Sequence, residues 1–337
     1  MRRDVSKTMV ALLLVSTMRL LGRNALAENR WGANYFPNVE LTTQEGKTVR
    51  FYDDLLKGKI VVIDLIYTHC KDMCPLETAR LAQVQKILGD RVGKDIFFYS
   101  ISIDPKADTP EVMKAYADKF HAGQGWLFLT GKKEDIDLVA RKLGLSSLTD
   151  KDSKDGHKAS LMIGNEPAGT WMRNTATDNP KFLANQIISL LGDWKRDRLG
   201  GKSYAEATPL TRSGQSDYLF AGQHLFQVRC AACHTIGHGD RIGPDLKGVT
   251  RARDRAWLRR FIQFPNVVLD EKDPIATALY NKYQQVQMPN VRLGDQDVDA
   301  LIAFLEAQGS AADKGGAAGQ GSSSQVTGML SDGPGAK

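Results

Sequence analysis

The sequence contains few cysteines and no long apolar run. Only four of its 337 residues are cysteine, which excludes a small domain held together by many disulfides. No stretch reaches the roughly 20 apolar residues that a transmembrane helix needs, so we expect no membrane span in the mature chain. Hydrophobic residues make up 42% of the chain, which is enough for packed cores, and the length predicts about two domains.

The sequence has little net charge beyond its first residues. The formal net charge is +6, but residues 1–27 contain five basic side chains and one acidic one, so residues 28–337 carry only +2. So small an excess of Lys and Arg does not favour nucleic-acid binding. We therefore expect no nucleic-acid partner.

Residues 1–27 have the pattern of an export signal. Three basic side chains within the first seven residues precede an apolar stretch over 9–18, and Ala25-Leu26-Ala27 supplies a small-x-small cleavage pattern. An uncleaved membrane tether is the alternative, which the short apolar stretch disfavours. We expect export to the periplasm or another extracytoplasmic compartment.

Residues 28–195 alternate strand-like and helix-like patterns. Residues 60–66 and 96–103 are nearly continuous apolar runs, which are typical of buried central strands. Thr109-Pro110-Glu111 is a helix start, with a hydroxyl N-cap followed by Pro at the first helical position. The order βαβαβαββα predicts an α/β domain with crossover helices on both faces of one sheet.

The rest of the chain divides into a linker, a second domain and a tail. Residues 196–214 lose periodicity and predict a linker. Residues 215–308 contain four helical patterns, at 217–228, 255–263, 275–284 and 296–307, and predict an all-α domain. Residues 309–337 contain eight Gly and no aromatic residue, so we expect a disordered tail.

Cys230-Ala231-Ala232-Cys233-His234 is a C-x-x-C-H motif, which is the attachment signal for a c-type haem. Its two thiols can add to two vinyl groups on one haem edge, and the next residue brings an imidazole to the iron. A disulfide or half of a zinc site is the alternative, but no second cysteine pair follows to complete a zinc site. We expect haem c on Cys230 and Cys233, with His234 as an axial ligand.

The flanks of this motif resemble class I cytochrome c along residues 215–308. Gly222-Gln223-x-x-Phe226 precedes the motif and Gly243-Pro244-Asp245-Leu246 follows it. The resemblance implies that the carbonyl of Pro244 orients the proximal imidazole and that Met288 is the second axial ligand. Core packing is the alternative role of a lone Met. Closed His/Met ligation indicates electron transfer rather than oxygen chemistry.

The other two cysteines, Cys70 and Cys74, follow the predicted strand at 60–66. A C-x-x-x-C spacing near one helical turn puts both sulfurs on the same side, and a helix N-terminus lowers thiol pKa, which favours thiolates. Such a pair can form a disulfide or hold a soft cation. As a lone residue, His157 in the later predicted hairpin is more typical of a surface or hydrogen-bonded histidine than of a ligand.

Three motifs over about residues 30–195 resemble the Sco/SenC copper-chaperone family. They are Thr68-x-Cys70-x-x-x-Cys74-Pro75, Asp104-Pro105-x-x-Asp108-Thr109-Pro110 and Asp155-x-His157-x-Ala159-Ser160. The resemblance implies a thioredoxin-like fold that binds one copper ion through Cys70, Cys74 and His157. It implies a role in building the copper centre of cytochrome oxidase, and sometimes in thiol reduction. Asp155 is expected to orient His157, and His69 to point away from the metal.

The ligand chemistry is compatible with copper. Two thiolates and one imidazole suit copper, whereas a structural zinc site prefers four protein ligands. Haem and copper both exchange single electrons, whereas a dithiol needs to give up two. We therefore expect a copper-binding metallochaperone with haem c. Its partners would be the copper subunit of a respiratory oxidase or another copper-site protein, and a redox partner for the haem.

Two alternatives remain open at this stage. A thiol–disulfide oxidoreductase that reduces the cysteines of a copper-site target would make Cys70 and Cys74 catalytic and the protein an enzyme. A simple electron carrier would use residues 28–195 only for docking. The first alternative predicts turnover without metal, and the second predicts that Cys70 is dispensable.

Overall fold

The computed structural model describes residues 31–145, 160–190 and 217–317. The chain divides into two compact units. Of the described residues, the first unit contains 31–145, 160–190 and Gln284–Pro289, and the second contains the rest of 217–317. The predicted export signal, the predicted linker and His157 lie outside the described residues. Among the helices that are described, none is both long enough and apolar enough to cross a membrane.

A seven-stranded mixed sheet forms the first unit. Its strands are β1 Glu40–Thr43, β2 Thr48–Arg50, β3 Ile60–Ile66, β4 Ile96–Ser102, β5 Trp126–Gly131, β6 Leu161–Asn165 and β7 Thr170–Asn174, in the order β2-β1-β5-β4-β3-β6-β7. The central strands β3, β4 and β5 are parallel, and β1 and β6 pair with them antiparallel. All of β3 is buried, which explains its continuous apolar run.

Besides a π-helical turn over Phe51–Leu56 and a 3-10 turn over Gly89–Arg91, the described part of the first unit contains four α-helices. They are α1 Cys74–Leu88, α2 Pro110–Lys119, α3 Lys133–Leu143 and α4 Pro180–Ser189. From β3 onward the order is βαβαβαββα, which confirms the predicted α/β fold. Ile63 and Tyr99 on one sheet face belong to a core cluster with Ile136 and Val139 of α3. Because side chains alternate along a strand, Asp64 lies on the opposite face.

The helix α1 begins earlier than the periodicity predicted. Apolar residues recur at helical spacing over 76–88 and predict a helix that starts at residue 76, whereas α1 starts at Cys74. Pro75 is in its first turn, where a missing N–H removes no helical hydrogen bond. Cys74 therefore belongs to the helix itself. The β1–β2 hairpin was not predicted, because strands of four and three residues are too short to show a period.

The second unit is helical. Its helices are α5 Asp217–Leu225, α6 Val249–Ala252, α7 Arg255–Gln263, α8 Pro265–Asp270, α9 Pro274–Lys282 and α10 Asp295–Ala317, and a π-helical turn over Phe226–Cys230 continues α5. Asp254 and Asp273 cap α7 and α9 by accepting backbone N–H bonds at 2.9 Å. Leu258 of α7 and Phe304 of α10 belong to one buried cluster.

The last helix is longer than predicted. The pattern at 296–307 predicted its end at residue 307, but α10 continues to Ala317. The first nine residues of the predicted disordered tail are therefore helical. Once a helix is nucleated, each added residue brings one more hydrogen bond, and Ala311 and Ala312 have high helix propensity.

The helices α5 and α10 approach each other most closely at Gly222. A Cβ atom at this position would lie 2.0 Å from the carbonyl oxygen of Ala300 and 2.8 Å from Cβ of Phe304. One turn along α5, the rings of Phe226 and Phe304 are 5.8 Å apart. Only hydrogen fits at residue 222, so glycine sets the distance between the two helices.

We predict that Gly222→Ala destabilises the second unit by at least the 1–3 kcal/mol that is roughly typical of overpacking. The added methyl meets backbone, which cannot rotate away. Urea unfolding of the haem-loaded chain, followed by haem absorbance, measures the loss. Gly294→Ala is the control, since its Cβ would lie 3.7 Å from the nearest atom. Equal stability of the two variants would contradict the prediction.

Candidate metal centres

Cys70 and Cys74 lie next to each other at the carboxyl end of β3. Cys70 is in the loop that follows the strand, where its N–H donates to the carbonyl of Tyr67 at 3.2 Å. Cys74 is the first residue of α1. Both are buried, and a hydrogen bond joins their side chains. All four cysteines of the chain are among the described residues, and none is in a disulfide.

The two sulfurs differ in acidity. The hydrogen bond from Cys74, with help from the Tyr67 hydroxyl and backbone N–H groups, lowers the pKa of Cys70 to about 6 against the effect of burial. The same hydrogen bond and burial raise the pKa of Cys74 well above its usual value. The prediction of two thiolates is therefore wrong for the metal-free dithiol. The pair shares one negative charge, because a second thiolate would repel the first.

Asp108 ties the cysteine loop to the neighbouring strand. Its buried carboxylate accepts hydrogen bonds from the hydroxyls of Thr68 at 2.6 Å and Ser102 at 2.5 Å. The Thr68 N–H lies 3.3 Å from both carboxylate oxygens. Since Thr68 precedes Cys70 by two residues, Asp108 fixes the start of the loop that carries the first sulfur. This contact gives the second sequence motif a structural role.

The two histidines of interest are placed differently. His69 is exposed, with Nε2 3.5 Å from Oδ2 of Asp104 and its ring edge-on to Tyr67. His157 and Asp155 lie outside the described residues. Within the described part of the chain, no group of three or more His, Cys, Asp or Glu side chains is arranged to hold a metal ion. The three-ligand copper site therefore stays a prediction, with two of its ligands located.

The donor chemistry of the dithiol fits copper. Two sulfurs within hydrogen-bonding distance already hold one negative charge between them, and soft sulfur ligands favour Cu(I). Burial of both sulfurs limits access of water and of other ligands.

His234 is oriented by the loop that follows the C-x-x-C-H motif. Its Nδ1 lies 2.9 Å from the carbonyl oxygen of Pro244. A carbonyl only accepts, so Nδ1 carries the hydrogen and the lone pair is on Nε2, the atom available to iron. Burial lowers the pKa of His234, while the bond to Pro244 opposes this shift. The imidazole therefore fits an axial ligand of haem.

Gly243 packs directly against this imidazole because it has no side chain. A Cβ there would lie 2.7 Å from Cε1 of His234, and the Gly243 N–H donates to the carbonyl of Cys233 at 2.9 Å. Arg241 donates to the carbonyl of Ala231 at 2.7 Å. The backbone carbonyls of the motif thus accept one hydrogen bond from a backbone N–H and one from the Arg241 guanidinium, which fixes the motif in a way that fits a covalently attached haem.

Met288 lies in an irregular segment between α9 and α10 and is partly buried. This is the position along the chain that the sequence predicted. Its ligation of iron stays a prediction.

Three polar groups on the elements that carry or flank the dithiol were not predicted from the sequence. Asp64 interrupts an otherwise apolar strand, which is a visible signal of a buried acid. Tyr67 donates its hydroxyl to Cys70, but nothing in the sequence distinguished it from a core aromatic. Glu77 is buried on α1, although a Glu in a helix ordinarily indicates an exposed face.

Two family models match separate parts of the chain. Residues 28–191 match SCO1/SenC, and residues 220–308 match Cytochrome c. The chain joins a SCO1/SenC domain to a cytochrome c domain. The resemblance drawn from the sequence motifs is confirmed for both parts.

Individual relatives each resemble one part only. The Saccharomyces cerevisiae protein "Protein SCO2, mitochondrial" is 35% identical over 114 residues, which cover 34% of this chain and 36% of that protein. The structure of Bradyrhizobium japonicum ScoI with copper bound is 27% identical, covers 45% of this chain and 96% of that one, and has a TM-score of 0.38. The structure of the cytochrome c domain of the pp3183 protein from Pseudomonas putida is 47% identical. It covers 26% of this chain and 88% of that one, and has a TM-score of 0.25. The match thus spans about a third of the yeast relative's length.

We predict that Asp108→Asn lowers the unfolding free energy of the SCO1/SenC domain by about 2–4 kcal/mol, because two hydrogen bonds to a buried carboxylate are lost or weakened. Hydrogen exchange of the amides in β3 and β4 measures the change. Asp104→Asn is the matched control, since its exposed side chain faces His69. An Asp108→Asn variant that exchanges no faster than Asp104→Asn would contradict the role of Asp108.

Proposed function

We propose that the protein is an exported metallochaperone that carries one copper ion and a covalently bound haem c. The observation that carries the proposal is the buried, hydrogen-bonded pair of Cys70 and Cys74 sulfurs at the start of α1, within a SCO1/SenC domain. His157 supplies the third ligand. The recipient is the copper subunit of a respiratory oxidase or another protein with a copper site.

Copper is the cargo in this proposal, and the residues of the chain decide how it is held. Cys70 offers a thiolate near neutral pH, and copper binding displaces the proton of Cys74. Asp108 and Thr68 keep the loop in place while the sulfurs are engaged. A two-sulfur site with one imidazole accepts both Cu(I) and Cu(II), which allows the ion to be held in either oxidation state.

The cytochrome c domain provides the electron-transfer part of the proposal. Cys230 and Cys233 would attach the haem, and His234, through Nε2, and Met288 would bind its iron. When bound, the haem exchanges single electrons with a redox partner. Pro244 and Gly243 hold the His234 ring in one orientation, so little rearrangement accompanies a change of charge at the metal.

One observation favours a second candidate function. The lowered pKa of Cys70 gives a nucleophilic thiolate near neutral pH, which a thiol–disulfide oxidoreductase acting on a copper-site protein would require. Turnover of a disulfide substrate by copper-free protein would support this function. A simple electron carrier does not require such a dithiol, so these contacts favour that function least.

We predict that protein matured with haem binds equimolar copper, and that His157→Ala loses the thiolate-to-Cu(II) absorption. The loss of the imidazole leaves only two protein ligands, which is too few to hold Cu(II). Metal analysis and optical spectra measure both effects. His69→Ala is the control, because that exposed side chain faces Asp104. Wild-type protein with haem but without copper would contradict the proposal and favour the thiol oxidoreductase.

We predict that Met288→Ala lowers the haem reduction potential and lets added imidazole bind the iron, because Met ligation raises the potential and closes the sixth position. Redox titration and imidazole difference spectra measure these changes. Met329→Ala is the control, since the sequence places that residue in the tail. A Met288→Ala variant with unchanged potential would assign the axial position to another residue.

A further inference from the structure

A hydrogen bond joins the loop after the C-x-x-C-H motif to the end of α9, and the function proposed above does not use it. The motif loop, residues 235–245, contains Asp240, whose Oδ2 accepts from the hydroxyl of Tyr283 at 2.7 Å. The two residues are 43 positions apart in the sequence. One of them lies in the loop that follows His234, and the other lies just before the segment with Met288. The contact therefore connects the parts of the chain that carry the two proposed axial ligands.

Hydrogen bonds within the motif loop hold Asp240 in place. The carboxylate of Asp245 accepts from three backbone N–H groups at 2.6 to 2.8 Å. The N–H of Asp245 donates to Oδ1 of Asp240 at 2.9 Å. Pro244, the residue before Asp245, provides the carbonyl that lies 2.9 Å from Nδ1 of His234. Asp240 is therefore attached to the same turn of chain that orients the imidazole.

The hydroxyl of Tyr283 is the stronger of the two partners that α9 and its C-cap offer to Asp240. Nζ of Lys282 lies 3.1 Å from Oδ2 of Asp240, but the two side chains are 63% and 45% exposed, so water screens the ion pair. Tyr283 is partly buried, and a hydroxyl that donates to a carboxylate makes a charge-assisted hydrogen bond. The N–H of Asp245, and then the Tyr283 hydroxyl, lower the pKa of Asp240 to about 2. The acceptor is therefore charged at neutral pH.

The chain that follows Tyr283 has an unfavourable backbone conformation. The N–H of Tyr283 donates to the carbonyl of Leu279 at 3.0 Å and closes the last turn of α9. Gln284 and Gln285 then have φ angles of 54° and 59°. Residues other than glycine rarely adopt such angles, because Cβ crowds the carbonyl oxygen, and they keep them only where neighbouring contacts enforce them. The bond from Tyr283 to Asp240 is a contact of this kind, immediately before the strained pair.

The strained pair sets the direction in which the chain continues to Met288. Met288 follows Tyr283 by five residues, and the segment between them forms no helix or strand. Five residues span at most roughly 17 Å. In so short a segment, a change at its first residues changes the positions that the methionine sulfur can reach.

We propose that Asp240 and Tyr283 are positioning residues for the second axial ligand of the haem iron. Their hydrogen bond keeps the start of the segment in the conformation from which Met288 binds, and it breaks when Met288 leaves the iron. The two sides of the haem site are then coupled through one contact instead of being held independently. Neither positioning residue binds iron. The proposal rests on the haem ligation by His234 and Met288 that is proposed above.

Titration of the full, haem-loaded ferric chain with imidazole tests this proposal. Imidazole binds the iron only after Met288 has left, so its apparent affinity reports how firmly the methionine is held. We expect Tyr283→Phe to raise this affinity roughly tenfold or more, the factor that corresponds to the loss of a hydrogen bond to a charged group. The absorption band that a methionine sulfur produces on ferric haem should weaken in parallel.

A matched control removes a hydroxyl elsewhere in the same unit. Tyr218 is on α5, and its side chain is exposed. Tyr218→Phe is expected to leave the imidazole affinity at the wild-type value. A Tyr283→Phe variant that behaves like this control would overturn the proposal.

Two double variants separate positioning from a general loosening of the domain. In the Met288→Ala background, Tyr283→Phe should no longer change the imidazole affinity, because its effect acts through the methionine. Asp240→Ala should raise the affinity as Tyr283→Phe does, and the two together should add little to either alone, since both remove the same contact. An effect of Tyr283→Phe that persists without Met288 would overturn the proposal, because a loosened fold exposes the iron in either background.

The same titrations distinguish failure of this proposal from failure of the ligand assignment. Met288→Ala by itself tests the assignment. If that variant binds imidazole no better than the wild type, Met288 is not the ligand, and both the assignment and the positioning role are overturned. If Met288→Ala raises the affinity and Tyr283→Phe does not, only the positioning role is overturned.

Discussion

The hydrogen bond between the sulfurs of Cys70 and Cys74 is the interaction on which the first unit's chemistry depends. It forms because a buried strand, a short loop and the first turn of α1 bring the two side chains to one place. It also gives the two thiols different pKa values, because the S–H of Cys74 donates to the Cys70 sulfur and stabilises it as a thiolate. Tyr67 and Glu77 both act on this shared charge, from different elements.

In the cytochrome c domain, two glycines and a backbone carbonyl shape the surroundings of the proposed haem ligand. Gly222 sets the spacing of α5 and α10, Gly243 lies flat against the His234 ring, and the carbonyl of Pro244 selects one tautomer. These contacts depend on the absence of side-chain atoms and on the position of a carbonyl group. We therefore expect the second unit to be more sensitive to added side-chain volume at Gly222 or Gly243 than to a change of charge on its surface.

The sequence predicted most of the first unit because its signals are strong and local. The apolar runs of β3 and β4 and the Thr-Pro start of α2 correspond to elements of the structure. The motifs predicted both pairs of cysteines, and the Pro244 contact followed from a resemblance. The difference in pKa between the two thiols could not be predicted, since it depends on distances across the loop between β3 and α1. The burial of Glu77 depends on which face of α1 meets the sheet. The length of α10 was underestimated because the many glycines of the tail indicated disorder, whereas the helix propensity of its first alanines was not taken into account.

The burial of the dithiol has a kinetic consequence. Cys70 exposes 6% of its surface and Cys74 none, so a ligand from another protein cannot reach both sulfurs while the loop keeps this conformation. For the copper ion proposed above, exchange with a partner would require this loop to move, and the hydrogen bond between Thr68 and the Asp108 carboxylate opposes that movement. The residence time of the ion would then depend on a contact beside the loop as well as on the strength of the metal–sulfur bonds.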